Sequence, residues 1–224
     1  MQKSLERLSS GYRINRSAYD AAGIAVSESL KAKIRCLSQA HRNANDAVSM
    51  IQIAEGAMNE MGNIMIRLRE LTVQASSDTL GEREKSFLNR EYVQLVDELD
   101  RISKTTEFYG LRFFNTDKTE FVIQVGVNAS KSKDNIDTIT INLSGLQFNS
   151  KALGLGKGGE IGPKSEGTKG PSRDQIASNL TKIDNALARL ASERSTLGAI
   201  QNRLNSAINN LGDSIENMSA AKSR

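Results

Sequence analysis

Residues 176–218 read IASNLTKIDNALARLASERSTLGAIQNRLNSAINNLGDSIENM. Ile176, Leu180, Ile183, Leu187, Leu190, Leu197, Leu204, Ile208, Leu211, Ile215 and Met218 fall on a three-four heptad seam, interrupted only at Arg194 and Gln201. Just upstream, Ser172 and Gln175 follow Pro171 at capping-box spacing, in which each side chain takes the other residue's backbone N–H. A helix of about 48 residues is about 70 Å long at its usual rise. Its apolar stripe has nowhere to bury itself alone, so the seam demands a partner of similar length.

The partner lies at the other end of the chain. From Ala18 to Ser76 there is no proline, and Leu30, Ile34, Leu37, Ala44, Val48, Ile51, Ala54, Met58, Met61, Met65 and Leu68 share one helical face. Lys31, Lys33, Asn43, Gln52, Asn59 and Arg67 take the opposite one. Gly56 and Gly62 each weaken that helix by about 1 kcal/mol against Ala.

Working inward, SSDTLGE at 76–82 breaks the pattern, with Thr79 and Glu82 at capping-box spacing. A second helix follows with Leu88, Tyr92, Leu95, Leu99 and Ile102 on one face, folded back on the first by a short turn. From about Phe108 the period changes. FVIQVGV (121–127) and IDTITINL (136–143) are rich in β-branched residues and read as two strands joined by the polar loop NASKSKDN. Residues 145–171, ending in GLGKGGEIGPKSEGTKGP, contain both prolines and no apolar period, and read as a loop or linker. The expected fold is mainly α, a rod-like bundle of two long helices and one shorter helix with a small β-hairpin region at one end. Segments 1–144, 145–171 and 172–224 then make one discontinuous domain.

Composition narrows the function. The 30 basic and 26 acidic residues are interspersed, without the dense basic run expected of a nucleic-acid surface. No stretch of about 18 apolar residues suggests a membrane span, and the N-terminus lacks the apolar core of a secretory signal. With one cysteine, Cys36, and one histidine, His41, a disulfide framework and a Cys/His zinc site are both excluded within the chain. His41 sits within the first apolar stripe, as an edge-of-core residue would. It is five residues from Cys36 and off its helical face, so the two do not suggest a catalytic pair. HExxH is absent, and Gly156-Lys157 is followed by Gly158 rather than Ser or Thr, so neither a zinc-protease nor a phosphate-loop pattern is present. Carboxylates stand beside cations, as in Glu82-Arg83-Glu84-Lys85, which reads as solvated pairing. The expectation is a protein that is not an enzyme and has no cofactor or metal.

Specific strings carry a resemblance. ERLSSGYRINRSAYDAAGIAVSESL (6–30), SQAHRNANDAVSMIQIAEGAMNEM (38–61) and RLRELTVQAS (67–76) closely resemble the N-terminal part of bacterial flagellins. DRISKTTEFYGLRFF (100–114) and FVIQVGVN (121–128) are similar to the flagellin turn and first strand. LGAIQNRLNSAINNLGDSIENMSAAKSR (197–224) resembles the C-terminal helix. The resemblance implies an extracellular, self-assembling filament subunit, exported by the flagellar type III route with the help of a chaperone and a cap. The hook–filament junction proteins of the same superfamily are the alternative. Compared with full-length members, the chain reads as the core without the terminal helices, begun at Met1 before Gln2, and is expected to be mostly monomeric. The resemblance further implies recognition by Toll-like receptor 5 through Arg67, Glu70, Leu71, Glu91 and Gln94, with Arg67 and Leu71 in one patch at i and i+4. Ile66 and Leu95 depart from the polar or basic residues of receptor-binding relatives, and Tyr12, Tyr19, Cys36 and Tyr109 depart from the usual family residues.

Overall fold

The heptad stripe of the C-terminal segment forms one uninterrupted helix in the computed structural model, which describes residues 21–114, 119–128, 136–156, 159–163 and 170–224. Among these, the helices are α1 (Ala21–Ala75), α2 (Glu82–Thr105) and α3 (Arg173–Ser223). Two antiparallel pairs complete the regular structure: β1 (Glu107–Phe108) with β2 (Leu111–Arg112), and β3 (Glu120–Gln124) with β4 (Thr138–Asn142). The mainly helical architecture expected from the sequence is the one observed. Tyr12 and Tyr19 lie outside the described residues.

Two helix starts behave differently. At α3 the Ser172 backbone N–H donates to Gln175 Oε1 at 2.8 Å and the Gln175 N–H to Ser172 Oγ at 3.3 Å, the reciprocal box expected from the spacing. At α2 the expectation fails. The N-cap is Gly81, with extended backbone and no side-chain cap. Thr79 instead shares a hydroxyl bond of 2.7 Å with Ser77 and its own N–H donates to Ser77 Oγ at 3.3 Å, closing a local turn before the helix. Glu82 and Glu84 in the first turn and Lys104 in the last complement the helix dipole.

The chain forms two compact units by contact density. One gathers residues up to Ala47, Ile123–Ile139 and Arg203–Arg224. There Leu37 and Ala40 of α1 meet Leu211 of α3, flanked by Ile215 and Met218. Asn43 donates to the Gln124 carbonyl at 3.2 Å.

The other unit comprises Val48–Val122 and Thr140–Asn202. Here α1 buries Met50, Ile51, Ala54, Met58, Met61, Met65 and Leu68, and α3 buries Ile176, Ile183, Ala186, Leu190, Leu197 and Ile200. The helices run antiparallel, since Arg194 pairs with Glu55 at 3.8 Å and Arg69 with Asp184 at 2.7 Å. Gly62, expected only to weaken α1, lies where a Cβ would stand 3.2 Å from Leu190 Cδ2, so its missing side chain admits the facing leucine. On α3, Asn179 rather than Leu180 is fully inward, and Ile200 fills the seam beside Gln201.

Strand β3 ends three residues before the expected limit. Gln124 Nε2 caps the Gly126 and Asn128 carbonyls at 3.0 and 3.1 Å, while Asp137 Oδ2 accepts the Asn128 N–H at 2.8 Å. Side chains thus take over the bonds that a longer ladder would need. The β1–β2 ladder, not expected as a separate pair, closes through Tyr109 and Gly110, both at positive φ (48° and 77°), as a two-residue hairpin turn of the primed kind.

Residues 145–163 differ most from expectation. They contain no helix or strand among those described, yet Leu146, Phe148, Leu153, Leu155 and Ile161 are buried. This segment is a packed belt rather than a solvated linker. Its polar backbone is met by side chains from helices. Asp100 accepts both the Ser150 N–H (2.6 Å) and hydroxyl (2.8 Å), and Asn89 Oδ1 accepts the Ile161 N–H at 3.1 Å. Asn179 Nδ2 donates to the Glu160 carbonyl at 3.3 Å, and the Arg189 guanidinium donates twice to the Gly145 carbonyl, at 3.2 and 2.9 Å. Arg189 also lies 5.5 Å from the centre of the Phe148 ring, which packs edge-on against Phe114.

Candidate functional site

Four of the five family-implied residues, Arg67, Glu70, Glu91 and Gln94, fall on one exposed face of α1 and α2. Three- and four-residue spacing brings Arg67 and Glu70 into register on α1, and Phe87, Glu91 and Gln94 on α2. Arg67 Nε donates to Glu91 Oε1 at 2.8 Å across the helices, and Nη1 donates to Glu70 Oε2 at 3.0 Å along its own helix. The hydrogen bond to Glu91, then that to Glu70, raises the Arg67 pKa above its ordinary value. All three side chains stay about half open to solvent, so the bridge orders the face and adds little stability of its own. Gln94 is exposed one turn beyond Glu91.

Leu71 does not join this face. It is 0% exposed and packs inward with Leu68, Thr72 and Ala75, because α1 turns its apolar row away from solvent there. The expected Arg67–Leu71 patch is therefore corrected to an Arg67–Glu70–Glu91–Gln94 surface with Leu71 in the core. Ile66 is 50% exposed at its border, and Leu95 is half-buried on the inner flank of α2. Sequence reasoning missed Phe87, 51% exposed, with Arg90 lying 4.9 Å from its ring centre. The i, i+3 spacing of an aromatic and an arginine was the available signal.

The remaining candidates belong to the other compact unit. Cys36 is exposed. His41 is half-buried with its ring Nδ1 3.2 Å from Asn45 Nδ2, the edge-of-core placement expected. Among the described residues no three His, Cys, Asp or Glu side chains are grouped to hold a metal.

The ends of the chain decide its kinship. Residues 1–119 match the family model of the bacterial flagellin N-terminal helical region, and residues 180–224 that of the bacterial flagellin C-terminal helical region. The chain belongs to the flagellin family. This flagellin chain is 39% identical over 223 residues to a flagellin of Halalkalibacterium halodurans, spanning 100% of this chain and 76% of that one. It is 35% identical over 239 residues to a flagellin of Bacillus subtilis, spanning 100% and 79%. A crystal structure of Bacillus cereus flagellin superposes with a TM-score of 0.61 at 31% identity, covering 81% of this chain and 94% of that one. Flagellins are a structural family, in keeping with the mainly helical fold.

Proposed function

We propose that this chain is a structural subunit of a bacterial flagellar filament. It is exported by the flagellar type III route with a dedicated chaperone, added to the filament beneath the cap and held outside the cell by contacts with other copies. The observation carrying this reading is the match of both helical regions of the family to the two helices that pack antiparallel within the chain. A subunit of this kind works by packing rather than by chemistry, so the reading is structural and not enzymatic. The test is deletion of the gene in its own cells, followed by electron microscopy with an antibody to this chain. Loss of labelled filaments and of swimming, restored by complementation, is the expected result. Unchanged filaments without label would overturn the proposal.

The α1–α2 face favours a second role, recognition by Toll-like receptor 5. Arg67 is held between Glu70 and Glu91 beside Gln94, giving a charged anchor already fixed in place before binding, and ordered arginines are frequent centres of interface energy. Leu71 supports the face from beneath. Biolayer interferometry against the receptor ectodomain should show Arg67→Ala weakening binding by about tenfold or more. Absence of binding by the parent would remove this role and leave the filament reading standing.

A further inference from the structure

The turn between β1 and β2 places a large aromatic side chain where the backbone least favours one. Tyr109 has φ of 48° and is 86% exposed. The left-handed conformation costs an ordinary side chain about 1–2 kcal/mol, and Asn or Gly suits the first position of such a turn far better. The Tyr109 ring stands edge-on to Phe108 with 4.4 Å between centres, and Leu111 is partly exposed across the hairpin. Among the described residues Phe108 is the one ring in contact with Tyr109, and that contact leaves it 86% exposed. The flanking charges, Glu107 and Arg112, lie opposite each other across the strands, 4.0 Å apart. This pair adds no net charge to the base of the hairpin.

We propose that Tyr109, with Phe108 and Leu111, is a contact knob for a second copy of this chain within the filament, an inference that rests on the filament-subunit reading above. The area argues for a polymer neighbour rather than a free dimer. One or two aromatic side chains bury about 150–250 Å² each, well short of the roughly 800 Å² per partner of a stable pair. Such a knob is silent between two free molecules and counts only where other contacts have already fixed the neighbour, as along a filament.

Strain and contact predict opposite signs in the two states. The test replaces the gene by Tyr109→Asn and by Tyr109→Phe in the native cells, then measures dissociation of sheared filaments and unfolding of the released subunits. Tyr109→Asn should raise the subunit melting temperature by about 2–4 °C, since strain is relieved, while raising the subunit concentration in equilibrium with filaments about fivefold, the scale of one aromatic contact. Tyr109→Phe, which keeps the ring, should leave filament dissociation near the parent. Parent filaments with an unchanged dissociation point in Tyr109→Asn would overturn the knob alone. Failure of the parent chain to appear in filaments would overturn the filament reading itself.

Discussion

The α1–α3 seam and the 145–163 belt both bury apolar side chains in the same unit, but they reach order by different means. The seam satisfies its backbone within each helix, so side chains need only pack. The belt has no ladder: local turns such as Leu153 N–H to the Asn149 carbonyl (3.1 Å) and Leu155 N–H to the Ser150 carbonyl (2.9 Å) serve part of its backbone, and Asn89, Asp100, Asn179 and Arg189 of α2 and α3 serve four further sites. A helix carries its hydrogen bonds with it, whereas an irregular segment must borrow them. The belt should therefore respond to polar substitutions that the seam would tolerate.

The sharpest way to break this comparison is Phe148→Ala. If residues 145–163 were a solvated linker the change would be nearly neutral. As a fully buried ring packed on Phe114 and Arg189, its removal should destabilise the fold by about 3–5 kcal/mol in denaturant melts. Asn89→Ala should follow with a loss of about 1–3 kcal/mol, because the buried Ile161 amide is left without its acceptor. A polar position on the outer face of the seam helix α1, such as Gln52→Ala, should stay within about 0.5 kcal/mol, and an equal cost at both sites would erase the distinction.

The smallest effect tests one of two buried α2 hydroxyls, those of Tyr92 and Ser103, that neither arrangement satisfies among the described residues. Tyr92 is buried, and its Oη has no hydrogen-bond partner. Tyr92→Phe should be neutral or stabilising by up to about 1 kcal/mol. Burial pushes the Tyr92 pKa up to about 12 from an ordinary 10.0. The folded state thus holds this proton more tightly than the unfolded chain does. Its contribution is complete below pH 10 and is lost as the pH rises from about 10 to about 12. Thermal melts across that window should show a steeper alkaline decline in the parent than in Tyr92→Phe, and parallel slopes would contradict the assignment.

The same contrast explains what the sequence could disclose. The seam was legible because its information is local and periodic. Leu37, Met58, Leu68, Ile183 and Leu204 announce their burial by spacing alone. The belt was not, because Phe148 and Ile161 have no period and their anchors lie up to 72 positions away, as Ile161 does from Asn89. Glycine and proline made it look like a linker, although Gly162 is required for close packing: a Cβ there would fall 2.2 Å from the Lys85 carbonyl. At the α2 start, Thr79 matched a capping pattern but bonded to a nearer hydroxyl. On the candidate face, Arg67, Glu70, Glu91 and Gln94 came from the family resemblance, and the i, i+4 spacing that joined Leu71 to Arg67 could not reveal that Leu71 points inward, since α1 buries more than one row there.

The antiparallel pairing of α1 with α3 also bears on the order of events as the chain becomes structured. Arg69 and Asp184 lie 115 positions apart, so the stripe of α1 has no mate until nearly the whole chain is available. Closing so long a loop is entropically unfavourable and slows folding compared with a local helix hairpin. Until α3 is available, the methionine-rich row from Met50 to Met65 lacks the α3 residues it packs with in the folded chain. Of these two helices, the later one synthesised sets the earlier.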